Sequence, residues 1–353
     1  MAQAVSTRAD IDTLCLNTIR TLSIDAIQKA NSGHPGTPMA LAPVAYTLWQ
    51  RFLRFDPQEP IWPNRDRFVL SAGHASMLLY SLLYLTGVRA VDPDYEVLGR
   101  QAVTLDDIRS FRQLDSKAAG HPEYRWTSGV ETTTGPLGQG VATSVGMAIA
   151  AKWQAAHFNR PGFELFGYDV YVICSDGDLM EGVSHEAASI AGHQRLDNLC
   201  WIYDNNRISI DGPTELTYED DVAARFMGYG WHVTRVGDAN DLELIVRALE
   251  SFRRTRDRPT LIIVDSHIGY GSKSFAPSTS LSRTEVESVR SAEPLISQGT
   301  RGAIAFCTWF EALRVARPLR SHSKNGMSRS QPSGSSRRCI APIWRSSVPC
   351  WRR

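Results

Sequence analysis

Apolar positions along the chain fall into two periods. Val170-Tyr171-Val172-Ile173-Cys174 and Leu199-Cys200-Trp201-Ile202-Tyr203 are continuous apolar runs of strand length, the pattern of strands covered on both faces. Residues 68–71, 231–236 and 260–264 read as further strands. Between them, helical spacing predicts helices. Ile11, Leu14, Ile19, Leu22, Ile24, Ala26 and Ile27 mark one over residues 9–30. Others are expected over 38–52, 77–85, 141–156, 183–195, 219–228 and 242–252. Strands alternating with helices predict an α/β fold, a mostly parallel sheet with helices on both faces.

Each long apolar strand runs into a polar cluster, Ser175-Asp176-Gly177-Asp178 after the first and Asn205-Asn206 after the second. Parallel strands joined by a helix bring both clusters to the edge where α/β proteins bind ligands. Asp176 and Asn206, 30 residues apart, would offer hard oxygen donors suited to Mg²⁺ or Ca²⁺ carrying phosphates. Gly177 lets the backbone approach a phosphate. Taken singly, either residue is as well explained as a turn former. The pair and its spacing favour a metal–diphosphate reading.

Three histidines occupy loops braced by Gly or Pro: His34 in Ser32-Gly33-His34-Pro35-Gly36, His74 in Ala72-Gly73-His74, and His121 in Gly120-His121-Pro122-Glu123. Such positions suit hydrogen bonding or proton transfer at one site. Capping of the adjoining helices or turns would also account for His34 and His74. The loop 132–140, with Gly135-Pro136-Leu137-Gly138, opens an Ala- and Gly-rich helix that could approach another helix closely, as at a dimer interface. Alone it is weak evidence for phosphate binding.

Composition changes this picture only late in the chain. Of 353 residues, 42% are hydrophobic and 21% charged, ordinary for a globular protein. Six cysteines show no zinc or C-x-x-C spacing, and Cys174 and Cys200 fall inside expected buried strands. With no apolar leader at the N-terminus and no run of membrane-spanning length, a cytoplasmic protein without membrane contact is expected. After Glu311 no acidic residue occurs, although the net charge is only +1. Residues 273–353 therefore read as a divergent Ser/Arg-rich tail: a basic nucleic-acid arm, a disordered segment, or, the favoured reading, out-of-frame translation.

In order, the motifs S-G-H-P-G, N-R-D-R-F-V-L-S-A-G-H-A-S, G-H-P-E, T-G-P-L-G-Q-G, S-D-G-D-L-M-E-G, D-N-N-R-I-S-I-D-G and S-H-I-G-Y-G-S resemble transketolase over about residues 8–272. The resemblance implies a thiamine-diphosphate-binding fold and transfer of a two-carbon ketol unit between sugar phosphates. It implies Asp176, Asn206 and the Ile208 carbonyl as ligands of Mg²⁺ (or Ca²⁺ or Mn²⁺). It places His74, Gly135, Pro136, Leu137 and Gly177 along thiamine diphosphate, with Asp176 and Asn206 holding its diphosphate through the metal. His34, His74 and His121 would act in catalysis, and Glu181 would help couple two cofactor sites across a dimer. Two departures stand out. Ser175 replaces the first Gly of the family's G-D-G signature, and Lys273–Ser280 replaces a family segment whose His contacts substrate. Residues 1–272 are thus expected to form the diphosphate/Mg half of the site and to have little turnover alone. The partner would be a second copy or a separate pyrimidine-binding-domain chain. A non-catalytic module with a nucleic-acid-binding tail is the alternative from another class.

Overall fold

The computed structural model describes residues 8–210 and 212–271; the expectations for the 273–353 tail lie outside the described residues. In chain order the elements are helix α1 (Arg8–Ala30), α2 (Gly36–Thr47), strand β1 (Arg67–Leu70), α3 (Ser76–Thr86), β2 (Arg89–Val91), β3 (Val97–Gln101), α4 (Leu105–Arg109) and α5 (Gln139–Phe158). There follow β4 (Val170–Ser175), α6 (Asp176–Met180), α7 (Gly182–His193), β5 (Leu199–Asn205), β6 (Ile208–Ser209), β7 (Gly212–Pro213), α8 (Val222–Gly228), β8 (His232–Val236), α9 (Leu242–Arg254) and β9 (Thr260–Asp265). Strands β1, β4, β5, β9 and β8 lie in that order in one sheet, and every pairing in it is parallel.

The apolar strands divide their side chains between two cores, because successive residues of a strand face opposite sides. Val170, Val172 and Cys174, with Leu199, Trp201 and Tyr203, pack against α5, α7 and α8. Tyr171 and Ile173, with Cys200 and Ile202, pack against α1, α2, α3 and α9. A run apolar at every position is what two covered faces require, so the α/β expectation holds. Cys174 and Cys200 are buried free thiols, as expected. Fully burying side chains such as Tyr171 or Trp201 contributes roughly 2–3 kcal/mol each. Two buried indoles are fixed in orientation by their N–H groups: Trp201 donates to Ser144 Oγ at 3.0 Å, and Trp231 donates to the Ala188 carbonyl at 2.8 Å.

The departures from expectation have local causes. The helix expected to run to Phe52 changes at Leu48 into a π-helical turn, beyond Pro43, which cannot donate its backbone bond. The helix expected from Glu219 starts at Val222, where the Asp221 carboxylate caps Ala224 N at 3.0 Å. At the N-terminal end of the sheet, buried Asp66 accepts from Arg54 N and Nη2 at 2.8 and 2.7 Å and from Asp169 N at 3.0 Å. The N-R-D-R motif thereby joins β1 to β4. Among the described residues no helix is long and apolar enough to cross a membrane.

Candidate functional site

The C-terminal ends of the parallel strands deliver the loops that the sequence singled out. After β4, Ser175 caps a single turn, α6: the Asp178 side chain accepts from Ser175 N at 3.0 Å, closing a capping box. Asp178 reaches further. Its Oδ1 accepts from Ser71 Oγ, just beyond β1, at 2.7 Å and from Gly138 N, at the start of α5, at 2.9 Å. One fully buried carboxylate thus joins three loops, and burial raises its pKa against the pull of these donors.

Asp176, at the start of α6, is buried. The Tyr203 hydroxyl donates to its Oδ1, while its Oδ2 has no hydrogen-bond partner. Burial, with Asp204 nearby, pushes its pKa up to about 7, although the Tyr203 bond opposes the shift. A buried, half-satisfied carboxylate is costly unless something compensates it. Asp176, Asn206 and Ile208 line one cavity of about 540 Å³. Asn206 is held by its own neighbours: Oδ1 accepts from Ile208 N, and Nδ2 donates to Asp204 Oδ2, both at 2.9 Å. Ile208 pairs with Pro213, which has no N–H to offer the Ile208 carbonyl. The donors are a carboxylate, an amide oxygen and a backbone carbonyl. This all-oxygen set fits a hard divalent cation, and the orphan oxygen of Asp176 is where a cation would remove the burial penalty. Among the described residues no cluster of three His, Cys, Asp or Glu forms an alternative metal site.

The histidines come together in part. The rings of His34 and His74 meet edge to face at 5.2 Å between centroids. Gly135 lies against His121: a Cβ there would stand 3.1 Å from the ring. Burial lowers all three pKa values, that of His74 to about 4, so each ring is neutral near pH 7. Arg112 deepens the shifts of His34 and His121. The histidines do not line the 540 Å³ cavity. Instead the loop 134–138 runs between the two groups. Gly135 touches His121, Leu137 covers Gly177 and Gly138 rests on Glu181. A Cβ on Gly73 would lie 2.7 Å from Gly135 N, so only glycine admits this approach. Pro136 and Glu181 are exposed at the loop's outer side.

Sequence reasoning missed three residues here. Asp178 was legible as the last position of an S-x-x-D capping box. Asp204, buried beneath Asn206, accepts from Ser266 Oγ at 2.5 Å and from Thr37 Oγ1 at 3.4 Å, joining β5 to the start of α2 and the loop after β9. Its signal was a carboxylate ending an apolar strand. Arg112 sits at φ +61° in an irregular loop, and no local pattern marks it.

Known proteins of one family match most of this chain. The family described as "Transketolase, thiamine diphosphate binding domain" matches residues 11–292. Transketolase of Geobacillus stearothermophilus is 56% identical over 266 residues, 75% of this chain and 38% of that protein. Transketolase 1 of Escherichia coli K12 is 52% identical over 260 residues, 74% of this chain and 37% of that protein. Among solved structures, the transketolase of Pichia stipitis in complex with sedoheptulose-7-phosphate superposes with a TM-score of 0.69 at 39% identity, covering 87% of this chain and 47% of that one. The transketolase of Leishmania mexicana gives 0.72 at 37% identity, covering 86% and 46%. The chain spans less than two-fifths of the length of these curated relatives.

Proposed function

The chain belongs to the transketolase family, and on that premise we propose that residues 8–271 hold the diphosphate and divalent cation of thiamine diphosphate in a ketol-transfer site for sugar phosphates. The observation that carries this reading is Asp176 Oδ2, buried without a partner in a cavity shared with Asn206 and Ile208. Asp176, the Asn206 amide oxygen and the Ile208 carbonyl would hold Mg²⁺, or Ca²⁺ or Mn²⁺ in its place. Gly177 and Leu137, with Gly135, Pro136 and His74, would line the cofactor. When bound, thiamine diphosphate supplies the electron sink for cleaving a C–C bond beside a carbonyl.

The chain's own groups do the rest. His34 and His121, neutral at pH 7, can each accept a proton from one sugar hydroxyl or donate to its oxygen. Arg112 sets positive charge beside both, suited to a phosphorylated substrate. His74, packed on His34, orients that ring and excludes water. The partner is a second copy of the chain, through the outer faces of α5 and α7, where Ile149, Trp153 and Ile190 are exposed. Glu181, at the α6–α7 junction, would lie near that face.

Calorimetric titration of thiamine diphosphate tests the reading. Binding that requires Mg²⁺ and is lost in Asp176→Asn is expected. Cation-independent binding, or an unaffected Asp176→Asn variant, would exclude it.

A further inference from the structure

At the opposite end of the sheet, Met227 near the end of α8, the first residues of β8, the last turn of α9 and the loop that precedes β9 enclose a second cleft, of about 440 Å³. Its wall is the segment Arg254-Thr255-Arg256-Asp257-Arg258, and Trp231, His232 and Val233 contribute its floor. We propose that this cleft binds a small anion carrying two adjacent phosphoryl groups, gripped by Arg254, Arg256 and Arg258.

Several features of the cleft point to such a ligand. The guanidinium fork matches phosphate oxygens in geometry as well as charge, and three forks on one concave wall exceed what a single phosphoryl group needs. Arg256 has no hydrogen bond or ion pair among the described residues, and its charge acts on the half-buried Asp169. Arg254 meets Glu250 at 3.5 Å, and Arg258 meets Asp257 at 2.6 Å. Both pairs are solvent-exposed and hold their partners weakly, so an incoming anion can share or displace the carboxylates. The His232 ring, 2.9 Å from Ser251 Oγ, has its pKa lowered by burial and then by Arg258, with Asp257 opposing. Arg254, Arg256 and Arg258 against the single Asp257 carboxylate make the lining of the cleft electropositive.

A structural role accounts for only part of this. Arg254 lies in the last turn of α9 and complements the helix dipole. Arg256 and Arg258 follow the C-cap Thr255 and belong to no helix. The volume lies in the range of small-ligand sites, and the apolar floor could take an organic group attached to the diphosphate. Nothing in the ketol-transfer reading uses this cleft, so that reading can fail while this one stands.

The test is calorimetric titration of the full chain with inorganic pyrophosphate and, separately, ADP, in EDTA so that cation-dependent diphosphate binding at Asp176 is silent. Binding that falls at least tenfold in Arg256→Ala and in Arg258→Ala, and weakens with added salt, is expected. Asp257→Asn, which removes the competing carboxylate, should tighten binding, and Arg247→Ala on the outer side of α9 should leave it unchanged. ADP binding tighter than pyrophosphate would assign the ligand as a nucleotide; equal binding would assign the diphosphate group alone. No binding at millimolar probe in low salt would overturn the proposal. So would an equal loss in Arg247→Ala, or loss in Asp176→Asn. Circular dichroism of each variant separates lost binding from lost folding.

Discussion

Asp178 Oδ1 lies 2.7 Å from the hydroxyl of Ser71, 107 residues earlier in the chain. The same oxygen accepts from Gly138 N, and Oδ2 accepts from Ser175 N. The contact therefore ties the loops after β1 and β4 to the start of α5. Removing the carboxylate strands several buried donors at once, whereas removing one donor leaves the others in place. Asp178→Ala is expected to destabilise the fold by about 3–5 kcal/mol, and Ser71→Ala by about 1–2 kcal/mol. Urea denaturation followed by circular dichroism measures both. Equal losses would contradict the shared-hub arrangement.

The approach of Gly73 to Gly135 makes a steric prediction. A Cβ at Gly73 would meet backbone, which cannot swing aside as a side chain can. A Cβ at Gly99, in the exposed hairpin strand β3, would meet nothing within 4 Å. Gly73→Ala should lower the urea midpoint by an amount matching about 2 kcal/mol or more, and Gly99→Ala should change it little.

These two contacts differ in how far the sequence announced them. Residues 170–174 and 199–203 were legible as strands because a covered sheet makes every position apolar. Gly73 and Gly135 stood out in Gly-rich loops, but their mutual contact spans residues distant in sequence and left no local trace. The hairpin of β2 and β3 was missed because Val97–Gln101 is half-exposed and does not alternate. α4 was missed because five residues are too few to show a period; only its Thr104–Asp107 capping box could have marked it. Asp176 and Asn206 followed from strand ends, a topological rule. Arg112 followed from none, since an irregular loop delivers it.

His74 makes stability depend on pH. Its folded pKa, lowered to about 4 chiefly by burial, lies below the usual histidine value, so the unfolded chain binds the extra proton first. The stability this confers is present above about pH 6.5 and is lost as pH falls toward 4. Between pH 7 and 5 the loss amounts to about 2 kcal/mol. His34 and His121 are shifted in the same direction and add to it. Urea midpoints measured over this range should fall more steeply for the native chain than for His74→Gln. Parallel profiles would mean that His74 titrates normally.

Tyr203 tests how the Asp176 carboxylate is aimed at its cavity. Its hydroxyl donates to Asp176 and lies 3.2 Å from Asn205 Oδ1, and Asn205 Nδ2 donates to Asp265 Oδ1 at 2.6 Å. Asp265 is in turn gripped by Arg235 through two bonds of 2.7 Å. The chain of contacts runs from β8 through β9 and β5 to the start of α6, and ends on the oxygen beside the unpartnered Oδ2. Tyr203→Phe keeps the ring in its apolar core and removes only the donor. The carboxylate then loses its orientation, and without this bond to oppose burial its pKa rises further. Partners that orient metal ligands typically cost 10–100-fold in affinity when removed, so Mg²⁺-dependent thiamine diphosphate binding should weaken by about tenfold in Tyr203→Phe. The urea midpoint should change by far less than in Asp178→Ala. Unchanged affinity would show that packing alone, without the hydroxyl, aims Asp176 at the cavity.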